Sequence, residues 1–266
     1  MATAERTTPT RLWGIVGEWE LRDLWLSGRG LALSLAFSLL VSVIAYLVAT
    51  NKALNFLEQR EAVNLTLQVA IAVGALLALV AAADAVSGER ERRTLETLLL
   101  TPVPRLELLF GKLVAAFSVW LAAFAITIPY VWFLGRGVGI VGDALAVGAV
   151  VGTLLAVFLV SLGGLVSIFA RSNRVSLSLS LFLLLALFAP TQFPTSAQQG
   201  WFGNFLLRAN PLTAGEHYVG KIVVDGHRWR EDVSWLTSPI VAAALFSLLA
   251  ALAGSRFMRL DRGSSA

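Results

Sequence analysis

The two histidines of the chain lie in one polar stretch, and histidine is the side chain that most often binds metals or moves protons near neutral pH. His217 and His227 are ten positions apart, with Glu216 and Asp225 beside them. Zinc sites place their ligands at shorter, recurring spacings, so this separation indicates a metal only weakly. Solvated loop residues explain the pattern better, and we predict no metal site.

Glycine patterns that could bind phosphate also occur, but their surroundings argue against that chemistry. Gly137, Gly139 and Gly142 spell GxGxxG, yet a dinucleotide site needs a preceding strand and a following soluble helix. Gly111-Lys112 lacks the glycine that a phosphate-binding Walker A loop has five residues upstream. The sequence has no Ser/His/Asp constellation, no HExxH string and no cysteine. It therefore predicts neither an enzyme nor a cofactor in this chain.

The densest charges lie in residues 87–112, SGERERRTLETLLLTPVPRLELLFGK, between two apolar runs. The chain has 21 basic and 17 acidic residues, and nine of these fall in this one segment. Such a segment can be an ordinary loop whose solvated charges fix the membrane topology. It can also be a surface that is offered to a soluble partner.

A short helix is predicted in the middle of this segment, from Thr94 to Leu100. Its leucines follow the i, i+3, i+4 spacing of a one-sided apolar stripe. They are Leu95, Leu98 and Leu99. Pro102 and Pro104 then end the helix, because proline lacks the N–H and clashes with the preceding turn. We interpret the segment as a helix lying flat on the cytoplasmic face.

The segment resembles the signature of ABC type-2 exporter permeases, G-E-R-E-x-G-T-L-E-x-L-L-x-x-P-V-x-R, closed by G-K. The matching residues are Gly88, Glu89, Arg90, Glu91, Thr94, Leu95, Glu96, Leu98, Leu99, Pro102, Val103, Arg105, Gly111 and Lys112. One position departs from the signature: Arg93 stands where the family has glycine. This departure bears on how tightly the chain turns before the helix.

The resemblance implies that the segment enters a groove on an ATP-hydrolysing subunit and couples its motion to the membrane domain. The leucines would fill the groove and the charged residues would pair with it. The residues expected to contact the ATPase are Glu89, Arg90, Glu91, Thr94, Leu95, Glu96, Leu98, Leu99, Pro102 and Arg105. ATP and Mg²⁺ would be bound by that partner, and a second permease copy would complete a dimer.

Composition predicts an all-α polytopic membrane protein. The chain is 57% hydrophobic and 14% charged, with a mean hydropathy of +0.75, whereas soluble domains are about 25% charged. About 20 helical residues cover roughly 30 Å of hydrocarbon, and each crossing segment must be helical because lipid offers no backbone partners. Six uncharged runs are long enough: 31–50, 62–83, 113–134, 144–170, 175–194 and 233–255. We treat residues 1–266 as one transmembrane domain.

Lysine and arginine predict the orientation. An even number of crossings puts both termini on one side, and that side would carry 14 basic residues against seven on the other. The positive-inside rule therefore places both termini and residues 87–112 in the cytoplasm. No early apolar segment reads as a cleavable signal peptide. We expect a multi-pass protein of the cytoplasmic (inner) membrane, and the rule explains the basic balance better than nucleic-acid binding does.

Residues 10–27 precede the first crossing and predict an interfacial amphipathic helix. Trp13, Trp19 and Trp25 suit the headgroup level, where one end of the ring is apolar and the other wet. A cytosolic helix packed on a partner is the alternative. Type-2 exporters resemble this layout, with an elbow helix before the first span.

Residues 195–232 form the longest external segment, which we interpret as a gate. GWFGNFLL, residues 200–207, is too short to cross and could enter the outer leaflet as a re-entrant piece. Asn210-Pro211 breaks it. A capping box from Thr213 to Glu216 then predicts a short helix reaching about Val224. Type-2 exporters resemble this, with short gate helices between their last two spans.

A few polar and small residues within the spans leave alternatives open. Asp84 is a candidate proton or ion site because ionisable groups in membranes are often functional, but its place beside the arginines favours a structural ion pair. Gln68 is a second polar candidate. Gly148 and Gly152 spell GxxxG, which indicates either an interior helix or a dimer face.

The sequence therefore predicts the membrane-spanning subunit of an ATP-driven exporter for lipidic, amphipathic or polymeric substrates. A secondary carrier normally has ionisable or broken-helix sites near midplane, and this chain shows neither clearly. An ion-coupled carrier or channel that uses Asp84 and Gln68 is the first alternative. A non-transporting assembly subunit with residues 195–232 as its binding face is the second.

Overall fold

The computed structural model of the chain describes residues 12–50, 56–95, 103–189 and 200–257. Within these residues the regular structure is entirely helical. The helices are α1 (Leu12–Leu26), α2 (Arg29–Thr50), α3 (Phe56–Asp84), α4 (Ser87–Glu91), α5 (Arg105–Gly135), α6 (Val141–Phe169), α7 (Asn173–Phe188), α8 (Trp201–Ala209), α9 (Pro211–Val223) and α10 (Thr237–Phe257). A 3₁₀ turn, Val233–Leu236, leads directly into α10.

Five stretches among the described residues are long and apolar enough to cross a membrane. They are Arg29–Thr50, Gln59–Glu91, Arg105–Gly135, Val141–Phe169 and Val233–Arg256. They meet the first, second, third, fourth and sixth predicted spans. The predicted fifth span, 175–194, overlaps α7, whose 16 residues are fewer than the roughly 20 that cross hydrocarbon, and residues 190–194 lie outside the described part of the chain. The sequence-based count of six crossings is thus supported for five helices.

The centre of the bundle is the pair α3 and α6, flanked by α5 and α10. The GxxxG pair of α6 lies inside this core. A side chain at Gly152 would meet the Trp120 ring, whose nearest atom lies 2.2 Å from an ideal Cβ, and one at Gly148 would meet Leu67 at 2.6 Å. Trp120 and Leu67 are almost fully buried. The small residues therefore let α6 approach its neighbours in the same chain, which makes it an interior helix.

The charged segment 87–112 is organised differently from its prediction. A one-turn helix, α4, precedes the predicted one, and the segment's last eight residues already belong to α5. Of the helix expected from Thr94 to Leu100, only the first two residues lie in the described part of the chain. Pro104 is the N-cap of α5, because its fixed φ suits a helix start.

The predicted start of α9 is wrong. Asn210-Pro211 does separate two helices, as expected, but the capping box at Thr213 does not form. Asn210 is the cap: its Oδ1 accepts from the N–H of Leu212 at 3.0 Å. Proline at the first helical position is already set for a helix, so α9 begins three residues earlier than predicted. The turn after α9 occurs at Asp225-Gly226, where Gly226 has φ +71°.

Candidate functional site

The N-terminus of α4 is held by a side chain of α6. Ser167 Oγ accepts from the backbone N–H groups of Val86 at 3.0 Å and Ser87 at 2.9 Å. These donors belong to the first turn of a helix and have no partner within it. Ser167 and Ser87 are fully buried. The one-turn helix is therefore fixed to α6 at the point where residues 87–112 begin.

Two adjacent charged residues of α4 hold the ends of two different helices. The Arg90 guanidinium donates to the carbonyl of Ile168 at 3.1 Å and to that of Ala170, at the end of α6. Glu91 Oε2 accepts from the backbone N–H of Asn173, the first residue of α7, at 2.9 Å. A cation at a helix C-terminus and an anion at an N-terminus both match the helix dipole. We call Arg90 and Glu91 the α6–α7 bracket.

A buried lysine joins the segment to the N-terminal helix. Lys112 Nζ lies 2.5 Å from Glu89 Oε1 and 2.6 Å from Glu20 Oε1, and only 2% of its side chain is exposed. Burial raises the pKa of Glu20, and the neighbouring Lys112 partly offsets that rise. Two carboxylates therefore share one cation. We call Glu20, Glu89 and Lys112 the lysine triad.

The residue before Lys112 explains how the triad is possible. A side chain at Gly111 would meet Val16 Cγ1 at 2.8 Å and the backbone nitrogen of Gly17 at 3.1 Å. Because Gly111 has none, α1 crosses α5 closely enough for Glu20 to reach Lys112. Trp25 adds a second tie, its Nε1 donating to Ser118 Oγ at 3.0 Å. The two-residue G-K string thus positions α1 on α5.

Asp84 forms ion pairs with two arginines, which confirms the structural interpretation. Its Oδ2 lies 3.1 Å from Arg92 Nη2 and 3.3 Å from Arg29 Nη1. The side chains of both arginines are nearly half exposed. Such exposed pairs contribute about 0–1 kcal/mol to the stability of the fold, so their main effect is to orient the ends of the helices that carry them.

Arg93 makes the left-handed turn for which the family uses glycine. Its φ is +59°, and it is the one non-glycine residue with positive φ in the described part of the chain. The departure from the signature has therefore not removed the turn. For an L-residue this conformation costs roughly 1–2 kcal/mol. The turn is closed by Thr94, whose N–H donates to the carbonyl of Glu89 at 3.0 Å.

The residues expected to contact an ATPase separate into four groups. Glu89, Arg90 and Glu91 bind other parts of the same chain, as described above. Leu95 is only 7% exposed and packs against Val86, Leu109, Ile168 and Ala253. Thr94 is exposed and Arg105 begins α5 half-buried. The remaining residues, Glu96, Leu98, Leu99 and Pro102, lie outside the described residues.

Several partners of the segment were not found from the sequence. Ser167, Asn173 and Glu20 are separated from their partners by 80 or more positions, so no local pattern connects them. One signal was present: Lys112 is a cation directly before the uncharged remainder of α5. A buried ammonium needs a carboxylate, and a search of the neighbouring helices would have led to Glu20.

The two histidines, at the end of the bundle remote from α4, have different partners. The His217 ring packs at a tilt of 39° against that of Trp235, with 4.1 Å between centroids, and His227 Nδ1 lies 2.7 Å from Asp232 Oδ2. Asp225 pairs instead with Lys221 at 2.9 Å. Burial lowers the pKa of His217, and the positive charge of Lys221 adds to the effect. The described residues hold no group of three or more His, Cys, Asp or Glu that could bind a metal.

Comparison with known proteins agrees with the resemblance carried by residues 87–112. A family model described as ABC-2 family transporter protein matches residues 15–262. The comparison with curated proteins gave no match. The family match includes all five apolar stretches, the α6–α7 bracket and the lysine triad. The chain belongs to the ABC-2 transporter family, as a multi-pass permease subunit of an ABC transporter.

Proposed function

We propose that this permease is the membrane-spanning subunit of an exporter that is driven by ATP hydrolysed in a separate ATP-binding cassette subunit. Membership of the family implies the ATPase partner. Export, the dimer of permeases and a lipidic, amphipathic or polymeric substrate are our proposals. The cytoplasmic membrane is the proposed location, with both termini inside the cell.

The α6–α7 bracket is the observation that carries the proposal. Two consecutive residues of a five-residue helix hold the end of one long helix and the start of the next. A displacement of α4 must therefore break these bonds or move both helix ends. Charge-assisted hydrogen bonds are each worth about 1.5–3 kcal/mol, and we propose that they carry the displacement of α4 to both helix ends.

The lysine triad extends this transmission to α1 and α5. Because Glu89 lies on α4 and Lys112 on α5, the same displacement also moves the start of α5. Because Glu20 of α1 pairs with Lys112, α1 would move together with the start of α5. We therefore assign Glu89, Arg90 and Glu91 to positioning the segment. The docking surface is proposed to be Glu96, Leu98, Leu99 and Pro102.

An apolar cavity between α6, α7 and α10 supports a substrate with hydrocarbon parts. Its volume is about 590 Å³, and it is lined mainly by aliphatic and phenylalanine side chains. Phe158 and Phe246 meet edge to face in its wall, with 5.0 Å between their ring centroids. A ligand with little apolar surface would gain nothing from this lining.

The test is reconstitution of the chain with its ATPase in liposomes. Glu91→Ala removes the hydrogen bond to the N–H of Asn173 at the start of α7 while leaving the proposed docking residues and the Ser172 cap untouched. We expect the complex to assemble but transport per ATP hydrolysed to fall at least several-fold. Arg174→Ala, an exposed charge in the first turn of α7, is the matched control and should behave as the wild type.

A second variant tests docking by itself. Leu99→Asp places a charge on the proposed docking surface, and we expect the ATPase to dissociate from the permease during purification. Unchanged assembly of that variant, or unchanged transport by Glu91→Ala, would count against the proposal.

The two residues proposed for an ion-coupled carrier or channel are both engaged within the chain. Asp84 is engaged with two arginines, and the Gln68 amide nitrogen donates to Asn64 Oδ1 and to the carbonyl of Glu216. Gradient-driven flux in liposomes that lack the ATPase would favour the ion-coupled carrier or channel. A stable complex with an external protein, without flux, would favour an assembly subunit.

A further inference from the structure

A polar cavity lies at the end of the bundle remote from α4. It is enclosed by α3, α8, α9 and the 3₁₀ turn, and its volume is about 560 Å³. One face of α9 lines it with residues spaced three or four apart, Thr213, Glu216 and Gly220. Gln68 of α3 lies opposite, and its Nε2 is 3.2 Å from the carbonyl oxygen of Glu216. The size is that of a small-molecule pocket, for which about 300–1,000 Å³ is usual.

Two carboxylates line this cavity, and one of them, Glu216, has no cation in ion-pair contact in the described part of the chain. Glu216 forms no ion pair among the described residues, and burial alone raises its pKa. Every nearby cation is engaged elsewhere. Lys221 pairs with Asp225, and the Arg208 guanidinium lies over the Trp235 ring at 4.9 Å. The His217 ring packs against the same Trp235 ring. A half-buried carboxylate without a counter-ion is costly unless a ligand supplies one.

Two further side chains of the cavity can accept hydrogen bonds, beside the Asn204 amide and the Lys221–Asp225 ion pair that also line it. Thr213 Oγ1 is buried without a hydrogen-bond partner. The amide nitrogen of Gln68 is already donating, which leaves its oxygen as an acceptor. Glu216, Thr213 and Gln68 therefore offer oxygen atoms from three residues. A primary ammonium group carries three N–H donors and one positive charge, which matches this set.

We propose that this cavity binds the primary ammonium group of a small amphipathic ligand, with Glu216 as counter-ion and Thr213 and Gln68 as further acceptors. The apolar part of the ligand would lie on Leu207, Val224 and Trp235, which line the same cavity. The described residues provide too few acidic or histidine ligands in one place for a metal ion. The site is independent of the ATPase and of the α6–α7 bracket.

The test uses phenethylamine, a primary amine on an apolar body, titrated calorimetrically into the full chain in lipid nanodiscs. We expect saturable binding with one site per chain. Its alcohol analogue, 2-phenylethanol, should not bind because it carries no charge. Glu216→Gln keeps the shape of the side chain and should weaken binding by at least about tenfold, since a charge-assisted hydrogen bond is lost.

Two further variants separate binding from folding. Glu231→Gln removes an exposed carboxylate outside the cavity and should bind phenethylamine as the wild type does. Thr213→Val should weaken binding by a smaller factor, with an unchanged unfolding temperature. Equal binding of the amine and the alcohol, equal binding by Glu216→Gln, or no saturable binding by the wild type would each overturn the proposal.

Discussion

Lys112 is the residue on which the charged segment depends most. It lies at the start of the long uncharged part of α5 with 2% of its side chain exposed, and it is the cation that pairs with both Glu20 and Glu89. Burial of charges is tolerated only where the partners are paired and hydrogen-bonded. Glu89 already has one oxygen, Oε2, buried without a partner. The triad therefore has no second cation that could replace Lys112 as the partner of its two carboxylates.

We expect Lys112→Met to destabilise the folded chain by about 3–5 kcal/mol, the usual cost of leaving buried charges unpaired. Thermal unfolding of the purified protein in detergent would measure the loss. Adding Glu20→Gln and Glu89→Gln to Lys112→Met should restore much of the stability, because no buried charge then remains. Lys221→Met, which breaks an exposed pair, is the control and should change little. No difference between the two lysine variants would contradict this account.

Arg93 shows how a signature residue can be replaced without losing its geometry. The residue keeps φ at +59° although it has a Cβ. Arg93→Gly should stabilise the fold by about 0.5–1 kcal/mol, because the relieved strain is partly offset by the greater freedom of glycine in the unfolded chain. Arg93→Ala removes the same charge but keeps the strain. If Arg93→Ala stabilises the fold as much as Arg93→Gly does, relief of backbone strain is not the cause of the gain in stability.

At the scale of elements, the crossing of α1 over α5 decides where the segment sits. The closest approach is at Gly111, whose neighbours include backbone atoms of α1. Backbone cannot rotate away as a side chain can, so even a methyl group must push the helices apart. A wider separation of α1 and α5 at Gly111 would also lengthen the contact between Lys112 Nζ and Glu20 Oε1, one residue later on α5.

We expect Gly111→Ala to cost about 1–3 kcal/mol by overpacking this crossing. Gly14→Ala is the matched control: Gly14 lies on α1, the other helix of the crossing, and nothing is within 4 Å of its ideal Cβ. Alanine favours a helix over glycine by about 1 kcal/mol, so the control should be neutral or stabilising. Comparison of unfolding temperatures in the same detergent distinguishes the two. Equal gains for both variants would show that the helices can separate freely.

The helices differ in how well their sequence predicted them. Long apolar runs predicted the five membrane-crossing helices, because lipid requires such runs to be helical. These helices are α2, α3, α5, α6 and α10. The start of α9 was misplaced because Thr213 and Glu216 have capping-box spacing, while Asn210 and Pro211 form the stronger start signal. The α4 helix was missed because five residues are too few to show a period.

At the scale of the whole molecule, the sequence predicted the class and the important segment but not its internal partners. The family resemblance led us to expect that Glu89, Arg90 and Glu91 face an ATPase. Their side-chain partners, in α5 and at the adjoining ends of α6 and α7, are 23 to 82 positions away, and only the folded bundle brings them together. Leu95 likewise continues the core, although its spacing fits an exposed stripe.

The two ends of the bundle are defined by α6, which has 29 residues and is about 43 Å long at 1.5 Å per residue. Its end is held by Arg90, and its first turn receives a hydrogen bond from Trp229 through Asp143. Arg174 and Glu231, which follow these two points closely, should therefore lie on opposite sides of the membrane. The excess of basic residues on the Arg174 side predicts that this side is cytoplasmic.

The absence of cysteine makes this orientation directly measurable. Single substitutions Arg174→Cys and Glu231→Cys can be treated with a membrane-impermeant maleimide in intact cells and in inside-out vesicles. We expect Glu231→Cys to react in intact cells and Arg174→Cys only in the vesicles, while the wild type does not react in either. The reverse pattern would place α4 outside the cell, where no ATPase could reach it. Labelling of both variants from one side would mean that the chain crosses the membrane differently from its apolar helices.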